Sequence, residues 1–467
     1  MTIKKKLINA AGIGMLATST VAGTSAKQPN FVLILVDDMG WTGTSALMDN
    51  RISSSRSDYY FTPNIAMLAK NGVTFCNAYS ASPLCTPSRA SILTGKTPAR
   101  LHMTSPGPPG RPAFSWQKVV APPHTNSLPE KEITIAEMLK RKKYATAHFG
   151  KWHLSGGGPG KHGFDQHDGS TGNDSFGYNK ASNPKDIFGI TKRANAFIDQ
   201  SVKNGKPFYV QLSHYALHEP IEALSSTLKE CSKRPSGKHH SDAKYAAMTQ
   251  DVDTSIGLVL KKIKQMGVEK NTYIIVTSDN GAGRHGSRNE NYPLYGSKGT
   301  LYEGGIRGPL IIRGPGIKSG TYIRENVVGC DLFPTICGLA GLKKVPDDID
   351  GTSILPLLRN ETNNKFSNRP LIFYFPHYGM GPRQKPQAAL IQGRYKLLED
   401  LESGRTKLFD LSRDIGERYN ISTRARNTAN RMENELHSYL KQVNASLPTP
   451  NKNYNPNAPR RRSRKMR

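Results

Sequence analysis

The chain is short of acid. Only 36 Asp and Glu stand against 65 Lys and Arg in 467 residues, a formal charge of +29. That deficit points to an anionic partner, whether nucleic acid, a membrane surface or an acidic glycan, and charge alone does not choose among them. Cysteine is also scarce. Five Cys cannot form a disulfide scaffold, so the fold must rest on its core. The apolar fraction of 36% excludes a mainly disordered chain and a polytopic membrane protein. There is no internal repeat. The length leaves room for one large domain with a smaller one, or for two or three average domains.

At the N-terminus, MTIKKK precedes the weakly apolar LINAAGIGMLATSTVAG and small residues up to Ala26. This reads as a signal peptide over residues 1–26, and hence as export to the periplasm or medium. The stretch is short for a membrane span and carries Thr and Ser.

Three apolar runs end in polar residues: FVLILVDD (31–38), PFYVQLSH (207–214) and TYIIVTSDN (272–280). They read as central parallel strands with a site at their carboxyl ends. Helical periodicity occupies 62–72, 133–143 and 243–267 between them. The alternation predicts an α/β fold, a large mostly parallel sheet covered by helices on both faces. Residues 104–129 and 155–163, rich in Pro and Gly, read as long loops above the sheet. Beyond residue 345 a polar linker leads to short strands with turn signals and a helix near 424–443. That predicts a smaller C-terminal α+β subdomain with an antiparallel sheet. The organisation is therefore 1–26 signal peptide, 27–360 catalytic domain, 361–448 subdomain and 449–467 a basic, disordered tail.

Segment 85–95 reads Cys-Thr-Pro-Ser-Arg-Ala-Ser-Ile-Leu-Thr-Gly. A lone Cys is most often a buried core thiol. Here Cys85 precedes a polar turn opening a helix with Arg89 close by, a setting that favours anions and a charged nucleophile. On these residues alone a cysteine protease is equally open.

The whole eleven-residue segment resembles the signature of the formylglycine-dependent sulfatases, of the alkaline phosphatase-like superfamily. A second family segment stands at Tyr144–His153, with Lys143 and Ser155 departing from the family's usual glycines. The resemblance spans the mature chain from residue 31 to about 421. It implies that a maturation enzyme oxidises Cys85 to formylglycine, whose hydrate attacks sulfur and later expels sulfate. It implies catalytic roles for Arg89, which holds the diol, and for Lys151 and His153, which bind sulfate and diol. His218 and Lys298 would contact sulfate and assist the leaving group.

Asp37 and Asp38 close one strand, and Asp279 and Asn280 another. Strand ends in a parallel sheet converge, and an all-oxygen set suits a hard cation such as Ca²⁺ or Mg²⁺. The family implies one Ca²⁺, completed by the oxygen at position 85. His377, Arg284 and His285 are candidate substrate contacts, with a domain-interface role equally open for His377. His214 reads as structural. GGGPGKHG (156–163) lacks the spacing of a phosphate loop and reads as a turn. The basic run 229–240 is either a contact for an anionic polymer or a solvated loop. Cys330 and Cys337 read as core residues.

The sequence thus predicts an exported sulfatase acting on a sulfated carbohydrate, dependent on export machinery and a maturation enzyme, with no nucleic-acid partner. A phosphomonoester or phosphonate-ester hydrolase on the same fold is the nearest alternative. A non-catalytic binder of acidic glycans is the alternative of another class.

Overall fold

A computed structural model describes residues 27–174, 178–283, 290–361, 365–379 and 384–459. The apolar runs form the middle of an eight-stranded sheet. Its central strand, Asn30–Val36, lies between Thr272–Ser278 and Phe208–His214 and is parallel to both. Outward on one side follow Ala145–Gly150 and Gln166–His167, again parallel. On the other side Leu310–Arg313 is antiparallel to its neighbours, and Val73–Phe75 and Thr321–Ile323 finish the edge.

Every residue of Asn30–Val36 is buried. Side chains alternate across a strand, so Val32, Ile34 and Val36 enter one core layer while Phe31, Leu33 and Leu35 enter the other. Helices Pro63–Lys70, Ile187–Lys203 and Ala243–Gln265 cover the first layer. Helices Ile135–Lys140 and Leu332–Leu339 cover the second. Among the described residues no helix is long and apolar enough to cross a membrane.

The C-terminal part holds an antiparallel sheet of Leu371–Phe375, Gln387–Gln392, Tyr395–Asp400 and Arg405–Asp410. Helix Arg426–Gln442 buries Met432, Leu436 and Leu440 on one face of this sheet. The other face meets Tyr79, Leu301 and Ile306 of the large domain.

The linker near 345–360 lies against the large domain, with Lys96 paired to Asp348 and Arg100 to Asp350 at 2.5 and 2.6 Å. One expectation changes. Residues 449–459, expected to be disordered, run along the 104–129 loop. Thr449–Pro450 pairs with Val119–Val120, and the Asn451 side-chain amide donates to the carbonyls of Phe114 and Gln117. The loop's backbone supplies the partners that the tail's own composition lacks. Residues 460–467, with the six tail cations, lie outside the described residues, as does 1–26.

Candidate active site

Parallel register builds the site. Val36 lies level with His214 on one side and Ser278 on the other. The residues that follow these three strands therefore emerge side by side. Asp37 N–H donates to the Ala216 carbonyl at 2.9 Å, and Leu217 N–H donates to the Asp37 carbonyl at 2.5 Å. This staple fixes the loop that carries His218. Asp38 N–H donates to Asp279 Oδ1 at 3.2 Å, which ties the first and third strand ends together.

Cys85 is the first residue of the helix Cys85–Thr94, all ten residues of which are buried. Its Sγ lies 3.3 Å from Asp37 Oδ1 and 3.4 Å from Lys298 Nζ. One turn on, Arg89 donates through Nε to Asp279 Oδ2 at 2.9 Å and through Nη1 to the Lys151 carbonyl at 2.7 Å. Lys151 pairs with Asp37, and Lys298 reaches both oxygens of Asp38 at 2.7 and 2.9 Å. Three carboxylates and three cations thus surround the Cys85 sulfur. Burying so many charges is tolerable only because each has a partner.

The segment after Ala145–Gly150 needs its glycine. Gly150 has φ +94°, and a Cβ there would meet the Ser213 carbonyl oxygen at 2.0 Å. This close approach lets Lys151 N–H donate to that carbonyl at 2.8 Å. Thr171 then grips three consecutive turns of chain. Its Oγ1 donates to the Gly150 carbonyl and accepts from Trp152 N–H, and its carbonyl accepts from His153 N–H. Thr86 donates to the His153 carbonyl at 2.7 Å. Lys143 and Ser155, the two departures from the family pattern, adopt φ of 62° and 46°. The left-handed backbone that glycine normally supplies is kept, at a steric cost.

Burial and neighbouring charge set the protonation states. Burial raises the Asp37 carboxyl, but Lys151, Arg89 and Lys298 together outweigh it and hold the group well below the usual range. Asp279 is pushed up to about 6 by burial and by Asp37. Burial, reinforced by Asp279 and Asp37, pushes the Cys85 thiol far up, so it is protonated and a poor nucleophile at neutral pH. That removes the basis for a cysteine-protease reading, which requires a thiolate. Burial, then Lys151 and Arg89, push His153 down to about 2. Among the described residues the buried Nδ1 of its neutral ring has no hydrogen-bond partner. A neutral imidazole is the form that accepts a proton.

The same residues fit a metal. Ligand atoms of Asp37, Asp38, Cys85 and Asp279 lie within 4.8 Å of one another. Asn280 donates through Nδ2 to Asp38 Oδ1 and to the Gly281 carbonyl. Among the described residues its buried Oδ1 has no partner, an orphaned acceptor beside three carboxylates. Such an oxygen-rich donor set matches a hard divalent cation.

Other candidates fall elsewhere. His218 is half-buried, with Nδ1 on the Glu219 carbonyl at 2.7 Å, and burial lowers its imidazole below the usual range against the pull of Asp37. His377 meets Thr104 Oγ1 at 2.7 Å and packs its ring against His124 at 4.8 Å, on the joint between the 104–129 loop and the subdomain. Arg284 and His285 lie outside the described residues. His214 is buried under Ser255, 3.4 Å from its Oγ, as a structural residue. All five cysteines, Cys330 and Cys337 included, are buried and unbridged. Residues 156–163 form a glycine-rich turn into the short helix Pro159–His162. Sequence reading passed over Thr171 and Gln384, whose side-chain amide holds the Lys298 carbonyl at 2.8 Å. Neither carries a local signal, because each acts on a segment distant in sequence.

Comparison with known proteins agrees with this geometry. The Sulfatase family model matches residues 29–342, and the model "N-sulphoglucosamine sulphohydrolase, C-terminal" matches 292–446. Mouse N-acetylgalactosamine-6-sulfatase is 31% identical over 415 residues, covering 81% of this chain and 74% of its own. A sulfatase of Formosa agariphila is 30% identical over 515 residues and covers 92% of each chain. Among solved structures, Ps i-CgsB in complex with k-i-k-neocarrahexaose superposes with a TM-score of 0.73 at 25% identity, covering 88% of this chain and 93% of its own. The cysteine motif at the head of a buried helix, the carboxylates at the strand ends and these matches place the chain in the sulfatase family, as a sulfuric ester hydrolase of alkaline phosphatase-like fold.

Proposed function

We propose that this protein is an exported enzyme that hydrolyses sulfate esters of a sulfated carbohydrate, using formylglycine at position 85 and one Ca²⁺. The observation that carries the reading is the buried Cys85 side chain, set between Asp37 at 3.3 Å and Lys298 at 3.4 Å at the strand ends. Carbohydrate as substrate is supported by relatives named for N-acetylgalactosamine-6-sulfate and by a neighbour solved with a carrageenan hexasaccharide. Export is supported by the signal-like pattern of residues 1–26, and periplasmic or secreted location follows from it.

In this mechanism a maturation enzyme, with an external oxidant such as dioxygen, converts the Cys85 Cβ–SH group to an aldehyde as the C–S bond breaks and sulfur leaves, and water adds to form a diol. Asp37, Asp38, Asp279 and Asn280 would hold Ca²⁺, which when bound polarises the sulfate group. Arg89 would fix the diol, and Asp279 would take the first proton. One diol oxygen bonds to sulfur as the ester S–O bond breaks. Lys298 and His218 deliver a proton to the departing alcohol oxygen. Neutral His153 then takes the proton of the remaining hydroxyl, the carbonyl reforms, and sulfate leaves. Lys151, Lys298 and Arg89 provide preorganised positive charge for the transition state.

The test is mass spectrometry of the peptide containing residue 85 together with turnover of an aryl sulfate and an aryl phosphate. An aldehyde at 85, strong preference for the sulfate, and loss of turnover in folded Cys85→Ala are expected. Active protein carrying only the thiol would refute the mechanism. Preference for phosphate would move the enzyme to phosphoester hydrolysis.

A further inference from the structure

A concavity lies at the same carboxyl edge of the sheet as the Cys85 centre. It encloses about 730 Å³ and is walled by three loops. Residues 45–61 follow strand Asn30–Val36, residues 234–240 follow Phe208–His214, and Tyr292 follows Thr272–Ser278. These are the same three strands whose ends carry Asp37, Asp38, His218, Asp279 and Asn280. A cavity there opens on the edge where ligands of such sheets bind.

Its lining joins flat rings to cations. The His239 and Tyr292 rings stack at 3.5 Å, only 7° from parallel. The Arg234 guanidinium lies 6.0 Å from the Tyr59 ring and 5.8 Å from Phe61, and Phe61 is 51% exposed. Arg56 is exposed at the rim. One carboxylate lines the cavity, but Asp58 is engaged: it accepts the N–H groups of His239 and His240 and the His240 ring, each at 3.0 Å. The floor connects to the catalytic residues. The Tyr60 ring lies 5.4 Å from Tyr245, whose hydroxyl donates to the Asp38 carbonyl at 3.3 Å. The buried Tyr60 and Tyr245 rings thus lie between this cavity and the backbone of a proposed metal ligand.

We propose that this cavity is a distal subsite for a non-reacting, anionic sugar unit of the oligosaccharide whose sulfate ester is held at Cys85. The inference rests on the carbohydrate sulfatase reading. A pyranose presents apolar C–H faces that lie on aromatic rings and hydroxyl edges that meet Ser and Tyr hydroxyls. Arginine forks match sulfate and carboxylate oxygens. The basic run 229–240 thereby gains a role, since Arg234 and His239 belong to it.

The experiment compares wild type with Arg56→Ala, Phe61→Ala double-substituted enzyme on an aryl sulfate, a sulfated monosaccharide and sulfated hexasaccharides of the carrageenan and chondroitin types. Both side chains are exposed, so folding is preserved. KM for the accepted hexasaccharide should rise about fivefold to twentyfold, the loss of one charge-assisted contact and one stacking face. Turnover of the aryl sulfate and the monosaccharide should be unchanged. A hexasaccharide KM that stays put overturns the subsite, and so does an equal loss on all three substrates. Calorimetric binding of the hexasaccharides to Cys85→Ala protein, with and without the two substitutions, reads the cavity independently of turnover. Failure of the wild type on every sulfate ester sinks the sulfatase reading instead, and the calorimetry still decides the cavity.

Discussion

Lys396→Met probes how the two parts of the chain are held together. Lys396, on strand Tyr395–Asp400, lies 2.9 Å from Glu303 and 2.9 Å from Glu417, and all three side chains are completely buried. Glu303 belongs to the large domain, five residues after Lys298, and also meets Arg307 at 3.1 Å and the Tyr79 hydroxyl at 3.1 Å. Each Lys–Glu attraction at 2.9 Å is about 6 kcal/mol at an effective dielectric of ~20, most of it offset by the desolvation of the three ions. Removing the ammonium alone forfeits the attraction and leaves the carboxylates facing each other. The expected loss is about 3–5 kcal/mol, the range for breaking a buried pair. For a protein of this size, with an unfolding entropy of about 1 kcal/mol/K, that lowers Tm by about 3–5 °C. The loss depends on pH. Burial pushes Glu417 up to about 7 even beside Lys396, so at pH ~5.5 it is protonated and only Glu303, which keeps Arg307, loses the ammonium. Thermal unfolding at pH ~5.5 and ~8.5 should show the larger drop at the higher pH. A drop of less than about 1 kcal/mol, or the same drop at both pH values, refutes the reasoning. Because Leu301 N–H donates to Gln387 at 3.0 Å across the same joint, the variant should also raise KM for an aryl sulfate by loosening the Lys298 loop.

Wild-type stability should pass through a maximum. The folded pKa of Glu417, about 7, exceeds its ordinary 4.5, so this group's contribution is complete at low pH and is lost as pH rises through 7. His148, His214 and His377 are pushed down by burial to about 3, 4 and 3, so their contribution is complete above about 6.5 and is lost as pH falls. Tm measured by circular dichroism should peak near pH 6–7, and a steady rise to pH 9 would contradict this. Lys143→Gly relieves a left-handed non-glycine residue with φ 62° at an exposed position, so it should stabilise by about 0.5–1 kcal/mol. A lower denaturation midpoint would show that Lys143 makes compensating contacts. Thr171→Val removes the hydroxyl that ties Gly150 to Trp152, so kcat on an aryl sulfate should fall about tenfold as Lys151 and His153 lose their fixed placement. Thr171→Ser should restore it, and full activity in the valine variant would exclude the positioning role.

Much of the site was legible because its signals are local. FVLILVDD and TYIIVTSDN announce buried strands that end in ligands, since a two-sided strand must be apolar throughout and its end is where polar side chains can gather. The Cys85 motif needs only a helix start to hold a nucleophile and an arginine one turn apart. Gly150 is demanded by a carbonyl 2.0 Å from any Cβ, a constraint that shows in sequence as the glycine before Lys151 in the resembled segment.

Sequence by itself determined the fold class and singled out the Cys85 motif and the strand-end carboxylates, because periodicity and motif spacing act over a few residues. Only tertiary structure decided which distant groups meet. Lys298 reaches Asp38 across 260 positions, and Thr171 reaches back to Gly150 because Gly150–Trp152 and residues 166–171 run side by side at the sheet edge. His377 went to the joint beneath the 104–129 loop, where Thr104 and His124 receive it. Residues 449–459 became ordered because that loop offered them backbone partners. Such contacts follow from strand order and loop path, which the pairing energy of the whole sheet selects and no single segment encodes.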